Sequence, residues 1–225
     1  MRKSVLIPLM AILIYGCSST SNESQAGDEP AGQEVTEGAE GTSLVGVLNP
    51  NLASSEELSS IGMGEAGTAK LMEGRPYLDP LAFLSTLKEV AGEEQFDEMR
   101  SKVFLPMNLN TTAEADFKMV PKVGDKMAHE FEEYRPYTSL AQFRREIGKY
   151  VSDEEVAAYE NYVFVPVNLN TASKEEILAI PGVGDKMLHE FEEYRPYESM
   201  EQFRREIGKY VDDNELERLA RYVTL

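Results

Sequence analysis

The sequence has few of the residues on which disulfide-rich domains and metal sites depend. It contains one Cys, two His and no Trp in 225 residues. A single Cys excludes an intramolecular disulfide and a four-cysteine zinc site, and two His leave little for metal catalysis. Positive charge is also scarce, since 22 Lys and Arg stand against 40 Asp and Glu, for a formal net charge of -18. Nucleic-acid binding therefore requires a local cationic patch, because the chain as a whole repels phosphate polymers.

The longest apolar run lies at the N-terminus, where a basic start precedes residues 5–14. The run is too short to cross a bilayer of about 30 Å as a helix, and the pattern is typical of an export signal. Residues 14–17, Ile-Tyr-Gly-Cys, resemble the lipobox of bacterial lipoproteins. This resemblance implies a signal peptide 1–17 and a membrane anchor on the acylated Cys17. Ser18, directly after the cysteine, favours a location on the outer membrane, facing the periplasm. The alternatives to a lipoprotein are a signal anchor or an ordinary secreted protein.

Residues 18–45 have no apolar periodicity and consist mainly of Ser, Thr, Gly, Glu, Gln and Ala. Such a segment buries too little apolar surface to offset the entropy cost of ordering, so we expect a disordered acidic linker. At about 5 to 6 Å times the square root of the residue number, it would hold the folded part on the order of 30 Å from the membrane.

The remaining residues form three copies of one sequence unit, at 46–106, 107–166 and 167–225. The second and third copies share most of their residues at an offset of sixty, and segments 142–151 and 202–211 are identical. The first copy is more diverged but keeps its glycines and an Arg-Pro-Tyr segment in register. Each copy is small for an independent domain, so either its helices pack very efficiently or neighbouring copies bury one another's faces.

The periodicity of the third repeat is helical throughout, which predicts an all-α fold with about four short helices in each repeat. The second helix is marked by apolar residues at spacings of four, four and three, namely Val183, Met187, Phe191 and Tyr194, and Pro196 ends it. No segment alternates with strand period for long enough to predict a sheet. The predicted N-caps are Ser173 in a capping box with Glu176, Ser199, Asp212 or Asp213, and Asp79 in the first repeat.

The turn before this second helix carries the motif with a chemical function. Pro181-Gly182-Val183-Gly184 followed by Lys186 resembles the helix-hairpin-helix motif. The segment 168–173, Asn-Leu-Asn-Thr-Ala-Ser, resembles the opening of ComEA-like modules, the competence-type DNA receptors. The resemblance implies three tandem helix-hairpin-helix (SAM-like) modules that bind the backbone of double-stranded DNA without reading sequence. The residues it implies are Gly182, Gly184 and Lys186, with Gly124 and Lys126 as a second site.

The glycines of this motif also have a reason in elementary physical chemistry. A tight turn between helices needs positive φ, and a missing side chain lets a phosphate approach the backbone amides. The next helix then offers unpaired N–H groups and the positive end of its dipole. The other repeats depart from the pattern, because Lys122 replaces the first glycine of the second repeat and Glu65-Ala66 replaces the Asp-Lys pair of the first.

The densest basic cluster lies further along the repeat, and its sequence leaves two interpretations open. It is either a phosphate-binding stripe or a solvated face that pairs with the surplus Glu. Arg205 and Lys209 are one helical turn apart and share a face. The cluster comprises Arg204, Arg205 and Lys209, with copies at Arg144, Arg145 and Lys149.

Two other features have structural alternatives to a binding role. His129 and His189 fall opposite the apolar face, beside Glu133 and Glu193, so we expect exposed histidines and no metal site. The Tyr-Arg-Pro-Tyr segments starting at 134 and 194 provide either a stacking surface for bases or a turn element. All three repeats keep Arg-Pro-Tyr, which favours the turn.

Two functions remain after these exclusions. The sequence has no nucleophile elbow, phosphate-binding P-loop or pair of carboxylates in an apolar setting, so we expect no enzyme, cofactor or small-molecule substrate. One hypothesis is a lipid-anchored envelope protein that binds double-stranded DNA. The alternative is an acidic envelope scaffold that uses the same fold to bind a protein. Similar modules in an extrinsic subunit of photosystem II and a secretion pseudopilin serve without DNA. A saline habitat would explain the acidity without reference to a ligand.

Overall fold

A computed structural model describes residues 46–225, and its elements follow the order of the three sequence repeats. The first repeat contains α1 (Ser55–Ser60), α2 (Glu65–Glu73), α3 (Pro80–Ala91) and α4 (Phe96–Lys102). The second contains β1 (Met107–Asn108), a 3-10 helix (Glu114–Met119), α5 (Asp125–Glu133), α6 (Leu140–Ile147), α7 (Asp153–Glu160) and β2 (Val163–Phe164). The third contains β3 (Val167–Asn168), α8 (Lys174–Leu178), α9 (Asp185–Glu193), α10 (Met200–Ile207), α11 (Asp213–Ala220) and β4 (Val223–Thr224).

The described residues are mostly helical, which confirms the all-α fold class. Their strands are only two residues long, and strand β1 pairs in parallel with β2, as β3 does with β4. A single bridge between Leu48 and Val103 takes the same place in the first repeat. The last segment of each repeat therefore returns to lie beside its first segment. These pairings are too short to produce an alternation of apolar and polar residues in the sequence. No helix among residues 46–225 is long and apolar enough to cross a membrane. The expected signal peptide, Cys17 and linker lie outside the described residues.

The helix starts follow local capping chemistry. Ser173 and Glu176 form the expected capping box, and Asp212 rather than Asp213 caps α11 by accepting from the Glu215 amide. In the second repeat Ala113 stands where the other repeats have Ser, and no side chain caps the helix that follows. A tighter 3-10 helix forms there, because its first amides lack the capping oxygen that the serine provides.

An asparagine near the start of each repeat holds the turn after its second helix. The Asn170 Oδ1 accepts from the Tyr197 amide at 2.7 Å, and its Nδ2 donates to the Tyr197 carbonyl at 2.9 Å. Asn110 and Asn51 make the same pair of hydrogen bonds to Tyr137 and Tyr77. These tyrosines are buried, and burial raises the pKa of Tyr197. The Arg-Pro-Tyr segment is therefore part of a structural clamp and does not present its second tyrosine to bases.

Neighbouring repeats bury one another's faces through an aromatic contact that occurs twice. Phe104 of the first repeat packs edge-on against Tyr162 of the second, with ring centroids 5.1 Å apart. Phe164 of the second repeat packs at the equivalent place against Tyr222 of the third, with the rings tilted by 52° and their centroids 4.6 Å apart. The first two repeats share one hydrophobic core, and the core of the third includes Phe164 from its neighbour. The repeats are thus parts of one compact unit.

Arg221 lies where all three repeats meet. Its guanidinium donates to the Leu78 carbonyl of the first repeat at 3.0 Å and to the Pro106 carbonyl at the junction with the second. It also lies 4.9 Å from the ring centroid of Phe164. Burial lowers the pKa of this arginine. The second repeat has Asn161 at the matching position, so this junction belongs to the third repeat alone.

The Asn clamp predicts a stability difference between two asparagines of the third repeat. Asn170→Ala should lower the free energy of unfolding by about 1 to 3 kcal/mol, because it leaves a buried N–H and C=O of Tyr197 without partners. Asn214→Ala, at an exposed position of α11, should change it by less than about 0.5 kcal/mol. Urea unfolding measured by far-ultraviolet circular dichroism compares the two, and equal effects would contradict the clamp.

Candidate nucleic-acid interface

The turns that the sequence singled out place one residue of each repeat in the left-handed region of backbone space. Gly182 has φ of 80°, and Gly62 has φ of 99°. Gly184 follows as the N-cap of α9 with extended backbone, and no side chain caps that helix. The structure therefore brings Gly182, Gly184 and Lys186 together at one helix start, with Gly124 and Lys126 in the same places at the start of α5.

Lys122 occupies the left-handed position in the second repeat. Its φ is 67°, and it is the only residue other than glycine with positive φ among the described residues. Such a conformation costs a residue with a Cβ about 1 to 2 kcal/mol. The side chain is exposed, so nothing in the fold requires a lysine at this place. The local backbone strain thus coincides with a solvent-facing positive charge.

The turn of the third repeat is covered by two side chains. A Cβ added to Gly182 would lie 2.6 Å from the Arg218 Nη2 and 3.2 Å from the Leu52 Cδ2. Arg218 is only 3% exposed, donates to the Pro181 carbonyl and pairs with Glu215. The space left by the missing glycine side chain is therefore filled from within the protein.

The turn of the second repeat is open by comparison. Its residues Lys122, Gly124 and Lys126 are all exposed, whereas Gly182 and Gly184 of the third turn are half-buried. Ala158 stands where the third repeat has Arg218. The nearest acidic residue on the next helix, Asp125, pairs with Lys118 at 3.1 Å. The two turns differ in access although their sequences are similar.

The basic cluster of the third repeat is paired internally with glutamates. Arg204 lies 2.8 Å from Glu217, and Arg205 lies 2.8 Å from Glu206, which also pairs with Lys209. Hydrogen bonds from Lys209 and then Arg205 lower the pKa of Glu206. In the second repeat Arg145 and Lys149 pair with Glu146 in the same way, and Arg144 pairs with a glutamate at a different position, Glu160.

Lys122, Lys126 and Lys186 differ from every other exposed Lys or Arg among residues 46–225. These three have no carboxylate of residues 46–225 within ion-pairing distance. The other unpaired cations of this range are half-buried arginines that donate to backbone carbonyls, namely Arg75, Arg195 and Arg221. Unneutralised positive charge on the surface of the described residues is therefore confined to the turns of the second and third repeats.

The histidines lie on the outer face, beside carboxylates. His189 is exposed, 3.6 Å from Glu193, and His189, Glu190 and Glu193 place one ligand atom each within 4.8 Å of the others. One imidazole and two carboxylates are a poor ligand set for a transition metal. We assign no metal to this cluster.

Comparison with known proteins adds no further identification. No protein-family model, no curated protein and no solved structure matches this chain.

The strain at Lys122 predicts opposite effects for two substitutions. Lys122→Gly should raise the free energy of unfolding by about 0.5 to 1 kcal/mol, because glycine adopts positive φ without a Cβ clash. Gly182→Ala should lower it by more than about 1 kcal/mol, since its Cβ would meet Arg218. Chemical denaturation of the two variants checks both signs, and a Lys122→Gly variant less stable than the unmodified chain would contradict the strain.

The contact between His129 and Glu114 predicts a pH dependence. The Nδ1 of His129 lies 3.2 Å from the Glu114 carboxylate, and this hydrogen bond raises the His129 pKa above 6.5. Because the folded pKa is the higher one, the stabilisation is complete below the unfolded pKa and is lost as pH rises through the folded value. Glu114→Gln should lower the His129 pKa in a titration followed by nuclear magnetic resonance. Glu133→Gln, which removes a carboxylate 4.0 Å away, serves as the control and should shift it less.

Proposed function

We propose that this chain is a lipid-anchored envelope protein of three helix-hairpin-helix modules that binds the backbone of double-stranded DNA without reading sequence. In this proposal Cys17 carries the anchor, residues 18–45 form the linker, and the turns of the second and third repeats contact phosphates. The envelope location, on the outer membrane facing the periplasm, rests on the resemblance of the N-terminus to a lipoprotein signal.

The observation that carries the proposal is the position of the unpaired lysines. Lys122, Lys126 and Lys186 lie beside or within the turns at which the resemblance places phosphate contacts, while other exposed Lys and Arg among the described residues pair with Asp or Glu. An exposed lysine without a carboxylate partner keeps its full charge for an external anion, whereas a paired one must first lose its partner. Because the chain has a net charge of -18, these lysines can attract DNA phosphates only at short range.

In this proposal the basic cluster around Arg205 stabilises the fold and is not the DNA-binding site. Each of its cations pairs with a glutamate that would repel phosphate, so Arg204, Arg205 and Lys209 add little to DNA binding. The contact set is then small, with phosphate contacts from only a few lysines. Affinity should be low and should depend strongly on ionic strength.

A protein partner is the second candidate function, and an apolar groove favours it. A cavity of about 390 Å³ lies between the second and third repeats. Its lining includes Leu140, Val165 and Ile180, with Glu160 and Glu176 among its polar residues. Under this alternative, crosslinking in intact cells should recover a specific protein that survives nuclease treatment, and recovery of DNA alone would argue against it.

The DNA proposal predicts a salt-dependent mobility shift. The mature chain should retard a short duplex at about 50 mM salt, and two or three phosphate contacts should reduce affinity by about 10- to 40-fold between 50 and 200 mM. Lys126→Glu combined with Lys186→Glu should abolish the retardation. Electrophoretic mobility-shift titrations with a labelled duplex measure both effects, and absence of binding at the lower salt concentration would refute the proposal.

A matched control separates local contacts from net charge. Lys70→Glu combined with Lys88→Glu makes the same charge change in the first repeat, where both lysines already pair with glutamates. This variant should bind within about twofold of the unmodified chain, apart from a small loss from the added long-range repulsion. Equal losses in the two double variants would show that only total charge matters.

A further inference from the structure

We infer that phosphate contact is concentrated on the turn of the second repeat, because Leu52 and Arg218 close the turn of the third. This inference rests on the proposed function and assigns unequal parts to two turns that are similar in sequence. It reverses the order that the sequence motif alone predicts, in which the Gly-x-Gly turn of the third repeat is the main site.

The closure of the third turn comes from two different directions. Arg218 reaches from α11 of the same repeat, and Leu52 comes from the first repeat, so both fill the space above Gly182. Arg218 adds no free charge there, since Glu215 pairs with it at 2.5 Å and only 3% of the arginine is exposed. A phosphate approaching Gly182 would have to displace the buried guanidinium of Arg218 and the apolar side chain of Leu52.

Both closing residues are departures from the other repeats. At the position of Leu52 the second and third repeats carry Thr111 and Thr171, and at the position of Arg218 the second repeat carries Ala158. The corresponding turn of the second repeat holds an exposed Lys122 in place of the covered glycine. The residue that departs most from the motif thus supplies a cation at the open turn.

The number of available charges favours the same turn. The second repeat presents two exposed, unpaired lysines at its turn, Lys122 and Lys126, while the third presents only Lys186. The first repeat has Glu65 at the start of the corresponding helix and no lysine beside it. Access and charge therefore point to the same turn independently of each other.

Two substitutions at equivalent positions test the inference in the full mature chain. Lys126→Glu should weaken binding of a labelled duplex by more than about tenfold and lower the salt slope by about 1, because it removes a phosphate contact. Lys186→Glu makes the same charge change at the same helix position and should weaken binding by about threefold or less, with little effect on the slope. Circular dichroism of each variant confirms that both remain folded.

A second experiment uses a variant in which the side chains that cover the third turn are removed. Leu52→Thr with Arg218→Ala gives the third repeat the residues found around the second, and binding should then tighten by about threefold or more. Adding Lys186→Glu to this variant should remove the gain. If the double variant unfolds, Leu52→Thr alone is the substitute, because it alters only a partly exposed side chain, 38% of whose surface faces solvent.

The possible results separate this inference from the proposed function. Equal losses for Lys126→Glu and Lys186→Glu would overturn the inference and leave DNA binding intact. Failure of both the unmodified chain and the opened variant to bind duplex at low salt would overturn both. Binding by the opened variant alone would overturn the assignment to the second repeat, while supporting the closure of the third.

Discussion

One guanidinium without a carboxylate partner determines how the three repeats sit together. Arg221 is half-buried, and it donates to the Tyr222 hydroxyl and to backbone carbonyls of the first repeat and of the junction between the first and second. A buried cation is tolerated only when such acceptors surround it. Asn49 adds a contact across the same boundary by donating to the Tyr222 hydroxyl at 3.3 Å. Through these contacts the first repeat is held against the third, and Leu52 is carried onto Gly182.

Similarity of sequence therefore does not give the second and third repeats equivalent surfaces. Their basic clusters have the same residues and the same kind of glutamate pairing, which neutralises the feature that looked most cationic in the sequence. Their turns differ because one faces a neighbour and the other faces solvent. In an acidic protein, the few cations that stay unpaired matter more for anion binding than the total number of Lys and Arg.

Much of the fold could be predicted from local chemistry. The capping box at Ser173 and the cap at Ser199 depend on residues three positions away, so sequence alone reveals them. The hydrogen bonds between Asn170 and Tyr197 span 27 residues, and only the recurrence of Asn and Tyr in every repeat, 26 or 27 residues apart, indicates them in the sequence. The closure by Arg218 could not be predicted, because a lone arginine at a helix position gives no sign of the carbonyl it will reach. Pairing of Arg205 with Glu206 was one of two readings that charge counting left open.

The aromatic contacts between repeats bear on how many repeats this architecture can contain. Each joint uses a Phe at the end of one repeat and a Tyr of the next, but Lys102 stands at the Tyr position of the first repeat and Thr224 at the Phe position of the third. Neither end of the described array therefore offers a Phe or Tyr for a further contact of this kind, and Arg221 connects its first and third repeats. Duplication of an internal repeat would separate the partners of Arg221, so this architecture restricts repeat number in a way that an open solenoid does not.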